Sequence, residues 1–285
     1  MILTPEQPTL ALHARNAAES AHPELWRGLV GAWVPALGYQ GSASRDIAKH
    51  RKVSLSDQTW KNTIKGRAID FNGSSSYAEI ANADDIPDGQ SGDTLTLRVI
   101  ARARVGPTDN TYTLVSYEDG GDSDGWFVRF EFFGTLATGF TFRTLGVNNG
   151  GTALKPVRGV WYDVVWVWQV GDGITTYVDG KQIDFEAVTD TSTVPSGRPL
   201  YIGAREKTGG GSPDDTFFDG QIAQVCVWNK ALHPSAIRTL HTDPLAAFRL
   251  RDDTALATAA MFGGTTTPSV TIPPPLLNMQ MTGSF

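Results

Sequence analysis

The chain has a single cysteine, Cys226, among 285 residues, so no disulfide can form within it. Stability must come from a hydrophobic core, and the length is ample for one. The chain also lacks any run of basic residues. With a formal net charge of −6, it is a poor partner for nucleic acid. It contains no apolar run long enough to span a bilayer. The opening Met1-Ile2-Leu3-Thr4-Pro5-Glu6 has neither the basic nor the apolar region of a secretory signal, so synthesis in a cytoplasm, with no membrane partner, is the expectation. The five histidines (His13, His22, His50, His233 and His241) show no metal-ligand spacing, and no Gly-x-Ser-x-Gly nucleophile elbow occurs. Cys226 sits in the strand-like run Val225-Cys226-Val227-Trp228 with no activating base beside it, and it reads as a small buried hydrophobe.

What is abundant is turn chemistry. Thirty glycines and 16 prolines punctuate many short apolar runs. Strands are expected at 29–33, 68–71, 78–80, 94–103, 112–117, 126–133, 139–144, 162–170, 174–178, 200–204 and 219–228. The run Val164 to Val170 is nearly all valine and tryptophan, as in a strand buried on both faces. Gly171-Asp172-Gly173 and Asp179-Gly180 supply the turns around the next strand. Such a density of short strands predicts an all-β, two-sheet antiparallel jelly-roll sandwich. Short helices are expected after Pro23, over 234–241 and after Asp243-Pro244, with a further one at 9–19. The division predicted is an N-terminal arm at 1–24, the β domain with its short helices at 25–249, and an extended C-terminal arm at 250–285. Residues 263–285 contain no Lys, Arg, Asp or Glu but do contain the triplet Pro273-Pro274-Pro275 and several large apolar side chains. Such a segment gains by lying on a surface.

Four segments carry a family resemblance. They are Gly66-Arg67-Ala68-Ile69-Asp70-Phe71-Asn72-Gly73 with Tyr77-Ala78-Glu79-Ile80, then Trp161-Tyr162-Asp163-Val164-Val165 with Tyr177-Val178-Asp179-Gly180-Lys181, then Leu200-Tyr201-Ile202-Gly203. The last is Phe218-Asp219-Gly220-Gln221-Ile222-Ala223-Gln224-Val225 running into Asn229-Lys230-Ala231-Leu232. Their order resembles the laminin-G-like family of concanavalin A-like jelly rolls. The flanks, residues 20–33 and 243–248, resemble laminin-G-like proteins encoded by bacteriophages and prophages, many of them virion components.

The fold implied hosts lectins, adhesion modules, glycosidases and virion proteins, and does not choose among them. The endoglucanase pattern Glu-x-Asp-x-x-Glu is absent: the nearest candidate, Glu131, has Phe133 where the aspartate belongs. A non-enzymatic role is expected. Its leading form is a virion structural protein, a capsid decoration or accessory subunit docked on major capsid or other virion proteins. Leu10, Leu25 and Trp26 at one end, and Ile272, Leu276, Leu277, Met279 and Phe285 at the other, would be the docking arms. The alternative is a glycan-binding module for surface glycans, with a site on loops 118–125, 146–152 or 205–216. Glu118, Asp119, Asp122 and Asp124 crowd one glycine-rich loop and are the candidate ligands for calcium, the one cofactor considered. Gly120 at the first-ligand position excludes an EF-hand. Finally, Trp166 and Trp168 share one strand face and Val165 and Val167 the other, so an apolar outer face carrying the tryptophans is expected as a homo-oligomer interface.

Overall fold

A computed structural model of the chain describes residues 13–37, 43–105, 111–118, 124–132, 139–144, 152, 154–188, 191, 194–206, 213 and 216–251. The chain divides into a first unit ending at Arg251 and a second at Asp252–Phe285, and every described residue belongs to the first. Of the expected docking residues, Leu10, Ile272, Leu276, Leu277, Met279 and Phe285 lie outside the described residues.

The strands in chain order are β1 Leu29–Trp33, β2 Ala43–Arg45, β3 Lys52–Ser56, β4 Thr59–Thr63, β5 Gly66–Asn72, β6 Tyr77–Ile80, β7 Thr94–Ala103 and β8 Thr111–Glu118. There follow β9 Gly125–Glu131, β10 Phe140–Thr144, β11 Tyr162–Gln169, β12 Gly173–Val178, β13 Lys181–Ala187, β14 Leu200–Ile202 and β15 Asp219–Trp228. Two short helices, α1 Pro23–Trp26 and α2 Pro234–Thr242, and a 3-10 turn at Ala246–Phe248 flank them. One sheet runs β13-β12-β11-β7-β15-β5-β4 with β1 added on β15; the other runs β10-β9-β8-β14-β6-β3-β2. Both are antiparallel, and their non-sequential neighbours make the jelly-roll sandwich expected. The Asp179-Gly180 turn has positive φ at both residues, 49° and 76°, as a tight hairpin requires. Four strands escape a sequence reading: β2, β3, β4 and β13. The last three are largely solvent-facing, so no apolar alternation marks them. The described part of the expected 9–19 helix is a turn instead. The Asn16 side chain accepts from the backbone N–H of Ala18 and Glu19, groups that a continuing helix would need.

Trp166 and Trp168 point between the sheets and are fully buried. They therefore offer no oligomer face. Trp168 meets Phe142 of the opposite sheet at 5.5 Å between ring centroids, and Phe142 stacks on Trp126 at 5.7 Å. Among the described residues their indole N–H groups have no acceptor, a cost offset by the large apolar area each ring buries.

The other face of the same strands is indeed apolar, and the chain covers it with its own flanks. Val165, Val167, Tyr177, Cys226 and Trp228 pack under Leu25, Trp26, Ile237, Leu240 and Phe248 in one cluster. Trp26 meets Phe248 edge-on at 5.8 Å and donates its indole N–H to the Ala247 carbonyl, while the Trp228 indole donates to Leu25 O at 2.7 Å. Leu25 and Trp26, expected as docking residues, are thus consumed inside the domain. Residues 14–21 are also tied in. Ala14 N donates to Phe248 O at 2.9 Å, Ala21 N to Arg249 O at 2.8 Å, and Arg251 N to Glu19 O at 2.8 Å. The packed unit therefore begins ahead of residue 25. Burial pushes the Cys226 thiol up to about 12, which keeps it an inert part of this cluster.

A buried ion pair latches α2 to the sheet. Arg98 on β7 and Asp163 on β11 make two bonds of 2.8 Å, with Arg98 fully buried. Arg98 also donates to Leu240 O at 2.7 Å and Pro244 O at 3.2 Å, and the His241 ring lies 3.2 Å from Asp163. The hydrogen bond to Asp163 raises the His241 pKa against the opposing effect of its partial burial. Burial alone would raise Asp163, but the Arg98 charge and the bonds from His241 and Arg98 hold it below the usual carboxylate range. The raised histidine stabilises the fold fully below its unfolded value, about 6.5, and that contribution is lost as pH rises through the folded value. The depressed aspartate contributes above about 3.9 and loses its contribution only as pH falls through its folded value. The melting temperature should therefore rise from pH 8 to pH 6 relative to that of His241→Asn. Parallel pH profiles for the two proteins would contradict the latch.

Candidate functional site

The helices cover only part of the outer face of the eight-stranded sheet. Beyond Asp163 the apolar rows give way to a polar one. Register places Gln221 of β15 beside Arg102 of β7 and beside Asp70 of β5. Trp161, just ahead of β11, stands next to Arg102, whose guanidinium lies 5.3 Å from the centre of its ring. Arg102 Nη2 donates to Gln221 Oε1 at 2.6 Å, and Gln221 Nε2 donates to Asp70 Oδ1 at 3.1 Å, so the amide can point only one way. Arg104 closes the row. It donates to Asp219 Oδ1 at 2.6 Å and to Asp70 Oδ2 at 3.1 Å, and these bonds keep it firmly charged.

Asp70, Arg102, Arg104 and Gln221 of this row line an open cleft of about 290 Å³ together with Ala103, Val105, Gly159 and Gly220, and Trp161 adjoins it beside Arg102. That volume is near the lower end for small-molecule sites. Gly159, at φ 80°, needs glycine twice over: a Cβ there would strain the backbone and stand 2.9 Å from Val105 Cγ2. Trp161 rests its ring on Ala68, Ile100 and Ala223, and its buried indole N–H has no acceptor among the described residues. Val105, Leu154, Val157 and Val160 are exposed in the same two chain segments that edge the cleft. Ring, guanidinium, amide and carboxylate side by side form a surface that can stack on an apolar face while exchanging hydrogen bonds with hydroxyl groups.

None of these residues is a site candidate from the sequence; Asp70, Trp161, Asp219 and Gln221 occur there only in the segments that carry the family resemblance. Trp161 reads as core. The available signal was subtler. Asp70, Arg102 and Gln221 are polar residues within three mainly apolar strands that turn out to be neighbours.

The expected calcium cluster fares differently. Glu118 is 2% exposed, and Arg205 Nε sits 3.0 and 2.8 Å from its two carboxylate oxygens. It is a buried ion-pair partner on the outer face of the seven-stranded sheet, where Arg205 also covers Phe127 at 4.3 Å. Asp124 is half-buried, and Asp119 and Asp122 lie outside the described residues. Among the described residues no group of three or more His, Cys, Asp or Glu side chains is placed to hold a metal. Glu118→Gln should cost about 1–3 kcal/mol whether or not calcium is present, because it removes the charge of a buried carboxylate bonded to a buried arginine. Urea unfolding with and without chelator measures this, and a loss seen only with calcium would contradict it.

A second cleft, of about 480 Å³, lies at the loops around Asp84, Asp85, Asp88 and Asp93. Each carboxylate there organises a loop. Asp84 accepts from Gly197 N at 2.6 Å, Asp85 from Arg51 at 2.5 Å, Asp88 from Val194 N at 3.1 Å, and Asp93 from Gln90 N at 3.2 Å. Among the described residues lining this cleft the one ring is that of Tyr117, which is buried.

Against known proteins, residues 72–238 match the family described as the concanavalin A-like lectin/glucanases superfamily. Solved structures of similar fold include a Trypanosoma rangeli sialidase in complex with 2,3-difluorosialic acid, at 20% identity and TM-score 0.56, covering 76% of this chain and 34% of that one. Another is domain 4 of an extracellular arabinanase from Geobacillus stearothermophilus in complex with arabinotriose, at 14% identity and TM-score 0.53, covering 75% and 98%. A third is a botulinum neurotoxin type C structure described as dependent on two ganglioside molecules for cell entry, at 11% identity and TM-score 0.53, covering 78% and 53%. These likenesses are of fold, and the chain spans about a third of the sialidase. No curated protein matches the sequence.

Proposed function

This chain belongs to the concanavalin A-like lectin/glucanases superfamily, and on that premise we propose that it is a non-catalytic glycan-binding module whose site is the cleft lined by Arg102, Gln221 and Asp70, with Trp161 at its border. The observation that carries the reading is the row Arg102, Gln221, Asp70, one side chain from each of three neighbouring strands, lining one open cleft, with the Trp161 ring beside Arg102 at its border. A saccharide ring presents an apolar face and a rim of hydroxyl groups, and this row presents the complement of both. Glycosidase chemistry asks for one carboxylic acid and one carboxylate flanking the scissile bond. Here Asp70 and Asp219 both accept from Arg104, an arrangement suited to holding hydroxyls in place.

The virion reading drew on apolar arms. Two of its residues, Leu25 and Trp26, spend their apolar surface on the domain's own outer face, so the balance moves to glycan binding. The test is a glycan array followed by calorimetry. Gln221→Ala should weaken every saccharide hit by about tenfold or more, roughly 1.4 kcal/mol. An array without hits, or hits indifferent to Gln221→Ala, would contradict the proposal.

A further inference from the structure

The three arginines on the outer face of the eight-stranded sheet are not equally matched. Arg98 is neutralised by Asp163, and Arg104 by Asp70 and Asp219. Arg102, among the described residues, has no carboxylate within 4.0 Å. Its side-chain partners are a neutral amide, Gln221, and the face of Trp161. A guanidinium carries five N–H donors in a rigid fork, and one of them is used here. The cation is therefore half-buried, fixed in direction by stacking and by one bond, and open to the cleft without a counter-charge.

Resting on the glycan-binding reading, we propose that the cleft selects acidic saccharides, with Arg102 receiving the sugar carboxylate. Arg102 meets it with paired N–H donors, the geometry that guanidinium and carboxylate share. The row then orients the ligand. Its cationic end is Arg102 on Trp161, and its acceptor-rich end is Asp70 and Asp219, which meet hydroxyl groups rather than a second carboxylate. The chain as a whole carries net charge −6, so attraction for an anion arises locally at this residue and not from the overall field. The carboxylate could belong to a uronic acid or to a sialic acid, and the two place it differently on the ring.

The experiment uses the full chain and four probes: trigalacturonate against galactotriose, and sialyllactose against lactose. Calorimetry is run at low and high salt. At least one acidic probe should bind tenfold or more tightly than its neutral partner, with an advantage that shrinks as salt rises. Which pair shows the advantage tells uronic from sialic acid. Arg102→Gln should bring the acidic-to-neutral ratio close to one while the melting temperature stays near wild type, and Arg102→Lys should restore only part of the preference. Equal binding of neutral and acidic probes overturns the selectivity but leaves the glycan reading standing. An acidic preference that survives Arg102→Gln also overturns it. If no probe binds and the glycan array is empty, both fall together.

Discussion

Asp163→Ala is expected to destabilise the domain by about 3–5 kcal/mol. The reason is the position of its partner. Arg98 is fully buried between β15 and β11 on the outer face, and removing Asp163 strands a guanidinium charge with only carbonyl acceptors at Leu240 and Pro244. The same change removes the acceptor of His241, so α2 loses two of its polar ties to the sheet at once. The effect should reach beyond the pair. With α2 loosened, the apolar cluster of Val165, Val167, Tyr177 and Trp228 loses part of its cover, and unfolding should become less cooperative. Urea titration followed by tryptophan fluorescence and by circular dichroism measures both. The double replacement Arg98→Met with Asp163→Leu should recover most of the loss, since exchanging a whole buried pair for apolar groups is often close to neutral. A single Asp163→Ala costing under about 1 kcal/mol would mean that the pair is effectively solvated.

Trp168→Ala is the second large effect, at about 3–5 kcal/mol. Trp168 is fully buried, and Phe142 opposite is held in a stack with Trp126, so the space left cannot easily close. Trp161→Ala offers the contrast. Its ring is half-buried on Ala68, Ile100 and Ala223, and about 1–2 kcal/mol is expected there, together with loss of saccharide binding. Thermal denaturation of both variants separates the tryptophan that holds the sandwich from the one that serves the cleft. Equal losses in stability would contradict that division.

Much of the architecture was legible because strands buried on two sides announce themselves. The valine–tryptophan run of β11 and the apolar run of β15 were read at or within one residue of their ends. The Asp179-Gly180 hairpin was read from the need for positive φ, and Gly180 also lies so close to His241 that a Cβ would stand 3.0 Å from it. The same evidence misled about what covers the outer face. Alternation in β11 shows that both faces are apolar, but it cannot say whether the cover is a second subunit or the chain's own α1, α2 and 3-10 turn. Nor can it say which face holds Trp166 and Trp168. The cleft was hidden for a related reason. Asp70, Arg102 and Gln221 are far apart in sequence, and only the crossover order β7-β15-β5 makes them neighbours. Acidic clustering within one loop drew attention to Glu118, whose partner Arg205 is 87 residues away.

In the proposed function a saccharide binds in the cleft lined by Arg102, Gln221 and Asp70, against the Trp161 ring at its border. Side-chain chemical-shift mapping during titration with a saccharide hit tests it most directly, because the Trp161 indole N–H and the Gln221 amide each give a resolved signal. Both should shift, with the Arg102 guanidinium, at the lowest ligand concentrations. Shifts gathered at Glu118 and Arg205, or around Asp84 to Asp93, with Trp161 and Gln221 silent, would place the site elsewhere and contradict the account.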